Sequence, residues 1–123
     1  MKELETTVRG SRVVLDPTAR GFEVLSATTG EKIGAIELAV RSADELEIAG
    51  LHIDEPRRGR GGGSEAFRLL LETLERTGWH TLCARAPEGQ GLAAYFWMRM
   101  GFRPDFGAGR YTALLFRRPL IGD

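Results

Sequence analysis

The sequence predicts an α/β (α+β) domain, and three features carry that reading. Leu46–Ile53 is strand-like, Glu65–Leu74 has its apolar residues at helical spacing, and a run of glycine and arginine joins the two. Upstream, Phe22–Ala27 and Lys32–Val40 flank Thr28-Thr29-Gly30-Glu31, a hairpin signal with its glycine. At 123 residues and 42% hydrophobic, the chain suits one core and one domain.

Taken in order, residues 1–10 are polar and read as a loose lead-in, leaving 11–123 as a single domain. Arg12–Leu15 forms a short strand, ended by the turn-forming pair Asp16-Pro17. The hairpin follows, and Ser42-Ala43-Asp44 turns into a strand over 45–54. The helix from Ser64 places Phe67, Leu70, Leu71 and Leu74 on one face, with Gly78 as its stop. Trp79–Ala86 reads as the next strand and Pro87-Glu88-Gly89 as its loop.

The run Arg57-Arg58-Gly59-Arg60-Gly61-Gly62-Gly63-Ser64 is the richest in chemistry. A glycine turn opening a helix offers unpaired N–H groups and the positive end of the helix dipole, which suit a phosphate. Arginines add charge and forked donors. A dinucleotide fingerprint needs a third glycine where Ser64 stands, and a P-loop needs a lysine that the run lacks. What fits is R-x-x-G-x-G, with Arg58, Gly61 and Gly63 in the fixed places.

This run resembles the coenzyme-A pyrophosphate loop of the GNAT superfamily of N-acetyltransferases. Gln90–Phe102 is similar to the superfamily's later helix, N-x-x-A-x-x-F-Y-x-x-x-G-F, with Ala93, Phe96, Gly101 and Phe102 in register. Gln90 stands in place of the usual Asn, and Trp97 in place of the usual Tyr. Ile53 and Arg58 hold the first and last places of V-x-P-x-x-R, with the proline one place late at Pro56, and Tyr111–Leu120 looks like the closing strand. The resemblance implies a mixed, mostly antiparallel twisted sheet, with a cofactor-binding helix after the fourth strand and a second helix near the C-terminus. It implies acetyl-CoA as cofactor, held by Leu51, Ile53, Arg58, Gly59, Arg60, Gly61, Gly62, Gly63, Ser64, Gln90 and Trp97. The function it implies is acetyl transfer to a primary amine by direct attack in a ternary complex. The alternative is a catalytically weak or inactive domain serving as an acyl-CoA-binding regulatory or interaction module.

Such chemistry needs a neutral amine, a donor for the oxyanion, and a way to release the thiolate. The resemblance points to a backbone N–H on the strand 45–54 as that donor, with Gly50 marking a bulge that frees it. Glu47 is the candidate base. On an unbulged strand it would share a face with Ala49, Leu51 and Ile53, an apolar setting that raises a carboxyl pKa. Trp97 has only an indole N–H and cannot act as the acid that a tyrosine would be. It is expected to pack on the pantetheine arm or in the core.

Other features limit the partners. Lysine plus arginine equals aspartate plus glutamate at 17 each, so no global field draws the chain to nucleic acid or membrane. Cys83 is the only cysteine, read as a small buried strand residue suited to a reducing cytoplasm. His52 and His80 show no metal-ligand spacing and read as structural or solvated, with His52 a minor candidate base. Arg117 and Arg118 read as a solvated strand end. The superfamily's two helices between its first strands have no room in Pro17–Gly21. Apolar residues near Val13, Leu15, Val24 and Ile36 are therefore expected to lack cover, which predicts a homodimer or a complex with another protein. The acceptor is expected to be a small-molecule or peptide amine.

Overall fold

A computed structural model describes residues 4–54, 62–87, 91–105 and 113–120. The strands are β1 Val8–Arg9, β2 Val13–Thr18, β3 Gly21–Ser26, β4 Lys32–Val40, β5 Glu45–Ile53, β6 Thr81–Pro87, β7 Arg103–Pro104 and β8 Ala113–Pro119. The helices are α1 Gly62–Arg76 and α2 Gly91–Arg99. The strands make one sheet in the order β1-β2-β3-β4-β5-β6-β8-β7, antiparallel at every junction except β5·β6. This is the mixed, mostly antiparallel sheet with two helices that the resemblance implies, with α1 after the fifth strand because Val8–Arg9 adds one.

Two short strands, Val8–Arg9 and Arg103–Pro104, escape the sequence pattern. Val8–Arg9 pairs with β2, and Leu4 and Val8 pack on the core, so the lead-in is tied down rather than loose. Asp16-Pro17 also does not end its strand. β2 runs on to Thr18 and turns through Ala19-Arg20. β1 covers β2 only as far as Leu15, so beyond it β2 is an edge where proline's missing N–H breaks no ladder.

The core lies on one face of the sheet. Phe67, Leu70 and Leu74 of α1 are at most 1% exposed and cover Val13, Leu15, Val24, Ile36, Leu46 and Ile48. Each such side chain contributes about 1.5–3 kcal/mol by leaving water. Val13, Leu15, Val24 and Ile36, expected to lack cover, are 1%, 0%, 0% and 1% exposed. Their burial under α1 removes the reason for expecting a dimer. The opposite face carries charge. Lys32 reaches Glu23 at 3.6 Å, Arg20 reaches Glu37 at 3.9 Å, and Thr7 donates to Asp16 at 3.1 Å. Exposed pairs of this kind add little stability, but they make a face that water can wet. Among the described residues no helix is long and apolar enough to cross a membrane.

Backbone proximity excludes a side chain at Gly34, where a Cβ would lie 2.1 Å from the His52 carbonyl oxygen, and at Gly21. Gly21 has φ 152°, and a Cβ there would lie 2.2 Å from the carbonyl oxygen of Ile36. Gly21→Ala should cost about 2–4 kcal/mol, from backbone strain and a contact that only strand movement relieves. Gly50 is the opposite case: a Cβ there meets nothing closer than Glu37 Oε1 at 3.6 Å. Gly50→Ala should change stability by less than about 0.5 kcal/mol. Urea titrations of both variants compare the two directly.

Candidate active site

β5 and β6 form a fork. Their parallel ladder runs from Glu45↔Thr81 to Ile48↔Ala84 and stops there, although β5 continues to Ile53 and β6 to Pro87. A bulge explains the parting. Gly50 pairs with Glu37 and Ile48 with Leu38, so Ala49 is the surplus residue and bends β5 away. The bulge expected at Gly50 thus falls on its neighbour.

Peptide directions follow from two hydrogen bonds. The N–H of Asp54 donates to the Ile33 carbonyl at 2.7 Å, so the even-numbered peptides at the end of β5 face β4. By alternation those of Leu51 and Ile53 face the fork. On the other wall, the N–H of Asp105 donates to the Leu115 carbonyl at 2.8 Å, turning the Leu115 peptide away from β6. Its cross-strand partner Arg85 therefore presents its own peptide to the fork.

The bulge also changes which side chains share a face. Leu46, Ile48 and Ile53 are buried on the core face, whereas Glu47 lies on the outer face. The apolar surroundings expected for Glu47 are not found. Its carboxylate accepts from Arg41 Nη1 at 3.0 Å and from Arg85 Nε at 3.3 Å. The second bond spans the apex of the fork, because Arg85 is the first β6 residue past the ladder.

Trp97 reaches the same residue from the core side. It is 7% exposed, within 6 Å of Phe67, Phe96 and Phe102 by ring centroid, and its indole N–H donates to the Arg85 carbonyl at 3.3 Å. The core packing anticipated for it is what its aromatic neighbours provide. The first turn of α1 holds Gly62, Gly63 and an exposed Ser64, so the helix begins inside the glycine run. Arg58, Gly59, Arg60, Gly61 and Gln90 lie outside the described residues.

The remaining candidates separate cleanly. His52 and Asp54 form an exposed pair at 3.2 Å on the outer face. Cys83 is fully buried, and burial pushes its thiol up, away from nucleophilic use. Among the described residues no group of three His, Cys, Asp or Glu could hold a metal ion. Arg117 and Arg118 are not a solvated strand end. Arg117 bonds Glu45 and, at 2.7 Å, Asp105, joining β8 to β5 and to the residue after β7. Arg118 donates to the Met100 carbonyl at 2.9 Å, capping the C-terminus of α2.

Glu65 is a residue that sequence reasoning missed. It is 5% exposed in the first turn of α1 and accepts from Ser11 Oγ at 2.7 Å and from the N–H groups of Arg12 and Val13 at 2.6 and 2.8 Å. It therefore ties the start of β2 to the helix that the glycine run opens. An acid in a first helical turn is ordinary, and nothing local marks it as a long-range anchor. Burial pushes its carboxyl up, but the Ser11, Arg12 and Val13 hydrogen bonds and Arg68 outweigh it, holding the group below the usual carboxylate value. A depressed folded pKa means stability that is present above the unfolded value, about 4.3, and lost as pH falls through the folded one. Glu65→Gln should cost about 1–3 kcal/mol at neutral pH. Its deficit against the parent chain should shrink on acidification, as read by urea unfolding from pH 7 to pH 3.

The model of the acetyltransferase (GNAT) family matches residues 6–102. No curated protein matches the sequence at a significant level. Among solved structures, a GCN5-related N-acetyltransferase from Brucella melitensis superposes with TM-score 0.81 at 14% identity, covering 98% of this chain and 81% of that one. The ribosomal-protein-S18-alanine N-acetyltransferase from Escherichia coli gives TM-score 0.70 at 19% identity, over 94% and 74%. A GNAT family acetyltransferase from Elizabethkingia anophelis, with acetyl-CoA bound, gives 0.67 at 16% identity, over 85% of each chain. At these identities the likeness is one of fold.

Proposed function

The chain belongs to the acetyltransferase (GNAT) family, and from that premise we propose that it transfers an acetyl group from acetyl-CoA to a primary amine by direct attack in a ternary complex. The fork between β5 and β6 is the observation that carries this reading. A slot between parting strands, with the Leu51 and Ile53 peptides turned into it, suits an extended arm bearing amides, as a third strand would fit there. The α1 N-terminus and the run Arg58, Gly59, Arg60, Gly61, Gly62, Gly63 and Ser64 would hold the pyrophosphate. Gln90 and Trp97 would border the arm from the α2 side.

Acetyl-CoA supplies an activated thioester; this chain's residues place the amine and manage charge. The Leu51 N–H, turned to the fork, is the donor aimed where an oxyanion develops. Glu47, at the apex, relays the ammonium proton through water to solvent. Among the described residues no helix covers the outer face beside it, the β2–β3 link being only Ala19-Arg20. That openness supports an acceptor that needs little enclosure, whether a peptide amine or a small molecule. Acting in the cytoplasm accords with a single buried thiol.

A second reading, an acyl-CoA-binding module with little turnover, draws on the committed indole N–H of Trp97. One experiment separates them. Calorimetry with acetyl-CoA is followed by thiol release against a panel of primary amines. Binding with turnover supports the enzyme, binding without turnover the module, and no binding removes both.

A further inference from the structure

A tryptophan on a short helix normally serves as apolar bulk, with its one N–H finding some acceptor. Here the acceptor is a particular one. The Arg85 carbonyl is the first on β6 past the end of the parallel ladder and faces the fork. If β5 and β6 continued to pair, this carbonyl would take an N–H from β5. The indole occupies that position instead, at 3.3 Å. Its ring is locked behind it by Phe67 of α1 at 5.9 Å and Phe102 at 5.1 Å, so the indole edge cannot withdraw without disturbing both helices. Arg85 is thus held from two sides, its carbonyl by Trp97 and its guanidinium by Glu47 at 3.3 Å.

We propose that Trp97 is a positioning residue that holds the fork open by fixing the Arg85 carbonyl on its β6 wall. This rests on the acyl-transfer reading of the fork. It accounts for an indole where a proton donor would otherwise act: the N–H is spent on the strand wall, and the thiolate leaves without an acid from this position. Two consequences follow. Removing only the N–H should loosen the slot, and the dependence of turnover on pH should owe nothing to Trp97.

The test uses Trp97→Phe, which keeps an aromatic ring in the cluster and deletes the donor. Phe102→Leu serves as a control that disturbs the same cluster while keeping the indole donor to Arg85. Trp97→Phe should raise KM for acetyl-CoA about three- to tenfold, the worth of one hydrogen bond. Its kcat should stay within about threefold, with an unchanged pH profile. Phe102→Leu, at a similar loss of Tm, should leave KM near the parent value. The proposal is overturned if both variants raise KM alike, if Trp97→Phe changes nothing, or if it abolishes a limb of the pH profile. Should Trp97→Phe fail to fold, the parent chain carries the test. Its Trp97 indole proton, told apart from that of Trp79 with a Trp79→Phe chain, should exchange slowly by NMR and shift when acetyl-CoA is added. Exchange at the rate of an exposed indole refutes the strut. A parent chain that binds no acetyl-CoA refutes the acyl-transfer reading instead, while the exchange rate still judges the strut.

Discussion

A Gly61→Glu chain is expected to fold normally and to gain no thermal stability from acetyl-CoA. Gly61 immediately precedes α1, which begins at Gly62. The first turn of a helix has N–H groups with no intrahelical partner, and they carry the positive end of its dipole. A glutamate at this point brings a carboxylate to the proposed pyrophosphate site, adding both bulk and like charge. The only other acid of the first turn, Glu65, is fully engaged with Ser11, Arg12 and Val13. The parent chain, at a ligand concentration a hundred times Kd, should gain about 2.7 kcal/mol, and its Tm should rise by several degrees. The variant should show no rise. Far-UV circular dichroism on both chains checks that the fold survives, as it should because the core side of α1 is untouched. An equal rise for both would mean that the glycine run holds no phosphate.

What the sequence could disclose depended on whether a feature was local. β4 is bounded at Lys32–Val40, where alternation and the Gly30 turn place it, and α1 buries Phe67, Leu70 and Leu74 as its periodicity requires. Two-residue strands such as Val8–Arg9 and Arg103–Pro104 are too short to show a period, and only their partners make them strands. The site was legible in its parts but not in its facing. A single surplus residue, Ala49, reverses inside and outside along β5, so counting by twos from Leu51 puts Glu47 on the wrong face. Arg85 gave no signal and Arg117 read as solvated, because their roles depend on Glu47, Glu45 and Asp105, none of them a near neighbour in sequence. The charged outer face answers the missing helices in a way that no apolar count anticipated. Where helices would cover the sheet, ion pairs meet the water.

Glu47→Gln should lower kcat by about 10²–10⁴ while leaving acetyl-CoA affinity within about twofold. The split follows from where the groups lie. In the proposed complex the cofactor's contacts would fall on the Leu51 and Ile53 peptides and on the glycine run, whereas Glu47 is on the outer face, on the far side of the bulge from them. Glutamine keeps the shape and one acceptor for Arg41 or Arg85, so the strands should remain in place. It cannot take a proton from an ammonium. The two guanidinium groups set how Glu47 would work. With partners at 3.0 and 3.3 Å, each of its carboxylate oxygens already faces a guanidinium. In the proposed role it would pass a proton on through water rather than keep it. Removing one partner gives a second, opposite result. Arg41→Ala leaves the Arg85 contact at the apex intact and should reduce turnover far less than Glu47→Gln does. Steady-state kinetics from pH 6 to pH 9 compares the three chains. Turnover in Glu47→Gln equal to the parent across that range would remove Glu47 from proton transfer. An equal loss in Arg41→Ala would show that the charged cluster acts as a whole rather than through its carboxylate.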